Sequence, residues 1–390
     1  MGCTKCFVPQ DPAFGKEEYA RRATVVRENM GKAGVDLLLV TDSTNLYYLT
    51  GFDSIGPLGL ECLILPLDLE PVLVINEFYE PVYHHTSGVY STVFYSEFQD
   101  PVEVALDAVR RHAAGAKVVG VDYAWPKQMG RLAEGLKRSS PEIEVRDGFG
   151  IIESIRIVKT DQELKYMREA AKLTEIAVAA AAAILAPGCT DRELAAEASA
   201  AMFRQGGDQG PCDPIVCAAY RGGIPFCNFA GYTLKKGDSV FFELTGTVRR
   251  YVSPLMRTFS LGATDPEREL AARVTSSAVD VILEVAKDGV PAKTVAEAAM
   301  EVLTEGLPDR LFHNIVGYPV GIAYPPTWVE RLGNKIMTNS PLILRSGMVF
   351  HLPMSLRKRG CWAVGLSQTI VVGPEGSTPL GSTPARMEVL

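Results

Sequence analysis

A carboxylate inside a hydrophobic strand is the group in this chain with the clearest chemical potential. Glu243 ends the run KKGDSVFFE, where residues 239 to 244 read as a strand rich in Val and Phe. Alternation along that strand turns the side chain toward the centre of the C-terminal half. A buried carboxylate is costly unless it is paired or hydrogen-bonded. Glu243 therefore either meets a ligand, as general base, nucleophile or counter-charge to a cationic group, or closes an ion pair with Arg257 or Arg249. His351 and His313, two of only five histidines, are further candidates for the site, each weighed against a satisfied core histidine. Cys3 and Cys6 form a CxxC, but without a second CxxC or a His pair at finger spacing the pattern favours a frayed terminus over a zinc site.

The elements that must position these groups fall into two halves. Helical spacing at 17–34 is followed by a strand run at 35–40 and a turn-rich stretch at 41–45. Strand runs at 61–65, 71–75 and 117–121 alternate with helical patterns such as 101–114, which predicts a mixed sheet covered by helices. Near residue 155 the pattern changes. Thr160 and Asp161 offer N-caps for a long helix that stops at Pro187 and Gly188, and a second helix follows at 191–204. Strands at 239–244 and 258–261, with helices at 267–286 and 295–305, give an α+β order. The boundary separates domains of 1–155 and 156–390.

Composition narrows the function classes. The chain has 390 residues, 47% hydrophobic and 22% charged, enough to bury two ordinary cores. A net charge of -7 argues against a nucleic-acid binder, which gathers Lys and Arg against phosphates. The basic runs 110–112 and 357–359 read as solvated faces. No run of about 18 apolar residues and no signal-peptide core is visible, so a soluble cytoplasmic protein without membrane partners is expected. Cysteines such as Cys62, Cys189 and Cys217 sit in core-like segments, which suits a reducing compartment without disulfides.

Five stretches in order, VTDSTNLYYLTGF at 40–52, ESIRIVKTDQEL at 153–164, KKGDSVFFELTG at 235–246, RTFSLG at 257–262 and SGMVFHL at 346–352, resemble creatinase, prolidase and aminopeptidase P relatives. The resemblance covers nearly the whole chain. It implies an α/β N-terminal creatinase-type domain and an α+β "pita-bread" C-terminal domain. In the peptidases of that family two aspartates, a histidine and two glutamates hold two divalent ions that activate water. Here the matching positions are Glu243, Pro254, Tyr318, Pro353 and Ser367, and the downstream His-Glu pair falls on Pro325 and Pro326. One carboxylate with a neutral Tyr and Ser cannot supply the ligands such ions need. No metal and no cofactor are therefore expected.

Among metal-independent relatives, ELTGTVRRYVSPLMRT and GYPVGIAYPPTWVER resemble ectoine hydrolases more than peptidases. The histidine that creatinase-like members carry before the KGD strand falls on Phe226, and a terminal Glu-Thr becomes Gln368 and Thr369. The resemblance implies a metal-independent hydrolase of a non-peptide C–N bond in a small amino-acid-derived compound. The alternatives are a non-catalytic binding protein and a metal-free lyase on the same frame. Glu243, His351 and Tyr318 form the catalytic set, and Phe226, His313, Tyr324, Trp328, Arg257 and Gln368 the substrate-binding set, with Arg257 also open to a structural role. The segment 50–56 matches a loop that covers the partner's cavity in creatinase-like dimers, so a homodimer is implied.

Overall fold

Short runs of Leu, Val and Ile, too brief for helices, form the central sheet of the N-terminal unit. The computed structural model describes residues 12–54, 59–122, 126–306, 312–330 and 334–390; Cys3 and Cys6 lie outside them, as does part of the segment 50–56. The chain divides into two units, Met1–Arg156 and Ile157–Leu390.

In the first unit β1 (Leu37–Val40), β2 (Cys62–Pro66), β3 (Val72–Asn76), β4 (Ser91–Tyr95), β5 (Val118–Val121) and β6 (Glu144–Asp147) lie in the order β4-β3-β2-β1-β5-β6. The pairs β1/β2 and β2/β3 are antiparallel and the others parallel. Helices α1 (Lys16–Ala33), α2 (Ser43–Thr50), α3 (Glu80–Thr86), α4 (Pro101–His112), α5 (Pro126–Ser139) and α6 (Glu153–Arg156) complete the unit.

The stretch 41–45, expected as a turn, instead opens α2. The Asp42 carboxylate accepts the Thr44 and Asn45 amides at 3.0 and 3.1 Å, so the polar residues form an N-cap, not a loop. Two of the motifs meet here. Asn45 donates to Glu153 at 2.7 Å and Arg156 donates to Asn45 at 2.6 Å.

The second unit opens with α7 (Asp161–Ala183) and α8 (Asp191–Arg204), each started by a capping box, Thr160 with Glu163 and Thr190 with Glu193. Then follow β7 (Ile215–Ala218), β8 (Ser239–Val248), β9 (Tyr251–Ser260), α9 (Pro266–Val285) and α10 (Ala292–Gly306). The remaining strands are β10 (Tyr318–Pro319), β11 (Val349–Leu352), β12 (Ser355–Lys358), β13 (Trp362–Gly365), β14 (Gln368–Val372), β15 (Ser377–Pro379) and β16 (Glu388–Val389). They form sheets of order β16-β9-β8-β7 and β10-β11-β14-β15, with β12 and β13 as a separate ribbon.

β8 and β9 run longer than 239–244 and 258–261 because they are one unbroken hairpin, in register from Ser239↔Ser260 to Val248↔Tyr251. Its turn is Arg249-Arg250, with φ of 50° and 65°, the left-handed pair that two-residue hairpins require and that Asn-Gly usually supplies. Asp208 holds it by accepting the Arg249 amide at 2.6 Å. Helix α7 lies directly on this hairpin. A Cβ at Gly246 would come within 2.4 Å of the Ala170 carbonyl, and Thr174 on α7 bonds both strands, taking the Gly246 amide at 2.7 Å and donating to the Ser253 carbonyl at 2.8 Å. No described helix is long and apolar enough to cross a membrane.

Candidate active site

Strand β8 sorts its side chains by alternation. Val240, Phe242 and Leu244 enter the core shared with α7 and α8, while Phe241, Glu243 and Thr245 take the opposite face. In the ladder Glu243 lies across from Met256 on β9 and Ile215 on β7. Its side chain is partly exposed and makes no hydrogen bond or ion pair among the described residues. Burial drives its pKa up to about 7, and the Arg357 cation only partly offsets that.

Arg357, on β12, is the counter-charge, and neither of the expected arginines is. Its guanidinium sits 4.6 Å above the Phe241 ring, two residues from Glu243 on the same face, and donates to the Gly222 carbonyl. Burial lowers its pKa, against the pull of Glu243. The run 357–359, expected as a solvated face, therefore contributes a half-buried group. Arg257 faces Phe242 in the ladder and so belongs to the other side of the sheet. It donates to the Met256 and Ser367 carbonyls at 2.7 Å each and to Thr383 at 2.5 Å. Gln368 donates to the same Thr383 carbonyl at 2.8 Å. Both side chains clamp the C-terminal segment, which corrects their expected role in substrate binding. Arg249 lies in the hairpin turn.

Tyr318 and His351 are brought together. They are partners in the β10/β11 ladder, with ring centroids 5.2 Å apart. The buried Tyr318 oxygen accepts the Trp328 indole N–H at 2.9 Å. Burial, followed by the Glu243 charge, raises the phenol well above its ordinary pKa, so it stays protonated as a donor. His351 is sealed from solvent. Thr369 donates its hydroxyl to the Pro254 carbonyl at 2.7 Å and lies 3.3 Å from His351 Nδ1, which assigns the ring proton to Nδ1. Nε2 has no partner among the described residues, and burial pushes the imidazole pKa down to about 3. His351 is thus a neutral support behind Tyr318. The expectation that it transfers protons is not matched by any accessible ring atom.

The remaining candidates separate. His313 is exposed and accepts the Ile315 amide on Nδ1 at 3.1 Å; crowding of its ring and the Arg357 cation lower its pKa. Tyr324 is buried under the Arg250 guanidinium at 4.5 Å. Phe226 stands 105% exposed with φ of 61°, so the expected aromatic wall lacks it. Lys159 and Glu330 form a fully buried pair at 2.9 Å. With the Glu330 amide donating to the Pro319 carbonyl at 3.0 Å, they brace the segment that carries Tyr318 and Trp328.

Sequence reasoning missed three neighbours. Arg357 was hidden in a basic run, although alternation along 355–358 allowed an inward arginine. Thr369 links two ladders, and Cys212, held at about 12 by burial and by Glu243, carried no pattern at all.

Of the five positions matched to ligands by resemblance, Glu243 and Pro254 share one face of the hairpin, and the Glu243 charge reaches Tyr318. Pro254 faces Thr245 on the Glu243 side of the hairpin, Tyr318 faces His351, and the Ser367 hydroxyl accepts the Met256 amide at 2.5 Å. Their chemistry does not suit a pair of divalent ions: proline offers no side-chain donor, Tyr318 holds its proton, and Ser367 is committed to backbone. Among the described residues no group of three or more His, Cys, Asp or Glu side chains is placed to hold a metal ion.

Comparison with known proteins gives the same frame. The model of metallopeptidase family M24 matches residues 165–374, and that of the creatinase/prolidase N-terminal domain matches 22–158. The chain is 26% identical to the ectoine hydrolase of Halomonas elongata, covering 96% of this chain and 98% of that protein. It is 24% identical to an Xaa-Pro dipeptidase of Pyrococcus horikoshii, covering 91% and 95%. The crystal structure of a prolidase from Thermococcus sibiricus matches with a TM-score of 0.84 at 22% identity, over 95% of this chain and 99% of that one, a likeness of fold.

Proposed function

Because this chain belongs to metallopeptidase family M24, with a creatinase-type domain ahead of an M24 pita-bread domain, we propose that it hydrolyses a non-peptide C–N bond in a small amino-acid-derived compound without a metal ion. The observation that carries this reading is Glu243, a partly accessible carboxylate with no bond to the protein among the described residues and a pKa near 7. A general base works best with a pKa close to the operating pH.

In this mechanism Glu243 takes a proton from water, and the water oxygen bonds to the amidine carbon of a substrate such as ectoine. The C–N bond then breaks, and Glu243 returns the proton to the departing nitrogen, leaving an amide and an amine. Tyr318, its oxygen already accepting from Trp328, offers its own hydrogen to the polar group that develops at the reacting carbon. The relationship to an ectoine hydrolase and the unsuitability of the former ligand positions for metal both support the proposal.

Chelator-treated protein, incubated with ectoine, hydroxyectoine and creatine in water labelled with heavy oxygen, tests it. One labelled oxygen should enter the product, and Glu243→Gln should cost about 100-fold or more in rate. Activity that requires added manganese or cobalt overturns the metal-free reading, and product without label points to an elimination. The sealed imidazole of His351 favours a second reading, a binding protein. In that case Glu243→Gln leaves no turnover to lose.

A further inference from the structure

We propose that Arg357 forms an anion subsite beside Glu243, so that the site takes ligands carrying a carboxylate together with a cationic or N–H-bearing group. The inference rests on Glu243 facing the ligand and adds a residue that fixes which ligands enter.

The geometry is that of two opposite charges held near each other but left open. Arg357 is anchored by one nitrogen, Nη1, on the Gly222 carbonyl, and Phe241 covers one side of the group at 4.6 Å. Nε and Nη2 have no bond among the described residues, and Arg357 as a whole is partly exposed. The strands fix the separation. Arg357 faces Ala363 in the β12/β13 ribbon, and Ala363 packs with Phe241 and Met256, the ladder partner of Glu243. The guanidinium is thus mounted on the same face as the carboxylate without an ion pair between them.

Half-buried charges without partners are costly, and a ligand that meets both removes both deficits. A simple cation satisfies Glu243 but is repelled by Arg357, and a simple anion meets the reverse. A compound with one group of each kind fits. The planar fork of arginine suits a carboxylate in particular, because two parallel N–H donors can meet its two oxygens.

Calorimetric titration near pH 8, where Glu243 is ionised, tests the subsite with ectoine and with the same methylated tetrahydropyrimidine ring lacking its carboxylate. The intact protein should bind ectoine about tenfold or more tightly than the bare ring, the scale expected of a charge-assisted bidentate contact. Arg357→Met should abolish that preference while binding of the bare ring persists, and Arg357→Lys should keep part of it. Glu243→Gln should weaken both probes together. Circular dichroism and the thermal midpoint establish that each variant is folded. A folded Arg357→Met protein that still prefers the carboxylate overturns the proposal, as does failure of ectoine, hydroxyectoine and creatine all to bind. Preference without turnover sinks the hydrolase reading alone, and turnover with an unchanged preference in Arg357→Met sinks the subsite alone.

Discussion

Trp328 donates its indole N–H to the phenol oxygen of Tyr318 at 2.9 Å, and both side chains are buried. Tyr318 has a dedicated hydrogen-bond partner, so it is held in place rather than merely occupying space. Tyr318→Phe leaves the indole N–H unmatched and should cost about 1 to 3 kcal/mol in denaturant unfolding. The double variant Tyr318→Phe with Trp328→Phe should recover part of that loss, and strict additivity would remove the bond from the account. Turnover of the Tyr318→Phe protein should fall as well, since the donor aimed at the reacting group is gone.

Two carboxylates, the buried Glu61 and the half-buried Glu243, make the fold sensitive to alkali. Glu61 and Glu243 both have pKa values raised from 4.5 to about 7, mainly by burial, and Glu61 Oε1 has no hydrogen-bond partner among the described residues. The folded protein keeps these protons up to about pH 7, whereas the unfolded chain releases them near 4.5. The stability they contribute is full below 4.5 and is lost as pH rises through 7. Glu61→Gln should therefore stabilise the protein at pH 8 by about 1 to 3 kcal/mol and have little effect at pH 4. Thermal midpoints measured across that range decide it, and equal shifts at both ends would contradict the assignment.

The sealed imidazole acts with the opposite sign. His351 falls from an ordinary 6.5 to about 3 in the fold, so the unfolded chain binds its proton first. The stability it contributes is present above 6.5 and is lost as pH falls toward 3. Replacement by leucine should flatten the acid limb of the stability profile, and an acid limb that stays as steep would show that other groups set it.

The buried pair Lys159 and Glu330 braces the segment 318–330. Lys159→Met should cost about 3 to 5 kcal/mol, because it strands a buried carboxylate. Lys159→Met combined with Glu330→Leu should restore much of that loss. A single variant as stable as the parent would mean that the pair does not brace the segment.

Much of this frame was legible in sequence because its signals are local. Helix α8 occupies the expected 191–204 because Thr190 and Glu193 cap it and the apolar spacing continues to its end. The strand carrying Glu243 was legible for the same reason. What escaped depends on contacts between residues remote in sequence. Nothing near Arg257 indicated that its guanidinium would be committed to the carbonyls of Ser367 and Thr383, and nothing near Arg357 indicated that it would face Glu243. The extended hairpin was also hidden, because two arginines take the left-handed turn conformation that a reader expects of Asn-Gly. Phe226 misled because a position aligned with a catalytic histidine need not point the same way once its backbone turns left-handed.

The former ligand positions give the last prediction. Pro254, Tyr318, Pro353 and Ser367, which the resemblance matches together with Glu243 to a two-ion ligand set, offer no anionic or imidazole donor. Dialysis against a chelator should leave the thermal midpoint unchanged, and manganese added back should not raise it. Restoring Asp at 254, His at 318, Glu at 353 and Glu at 367, together with Glu243→Asp, should make the midpoint depend on manganese, because an ion bound only by the folded state stabilises it by about 2.7 kcal/mol at a hundredfold excess over its dissociation constant. If the parent protein already gains stability from manganese, other donors bind it and the metal-free reading falls. If the restored variant folds yet ignores manganese, the backbone at Pro254 and Pro353 has moved too far for the old geometry to return.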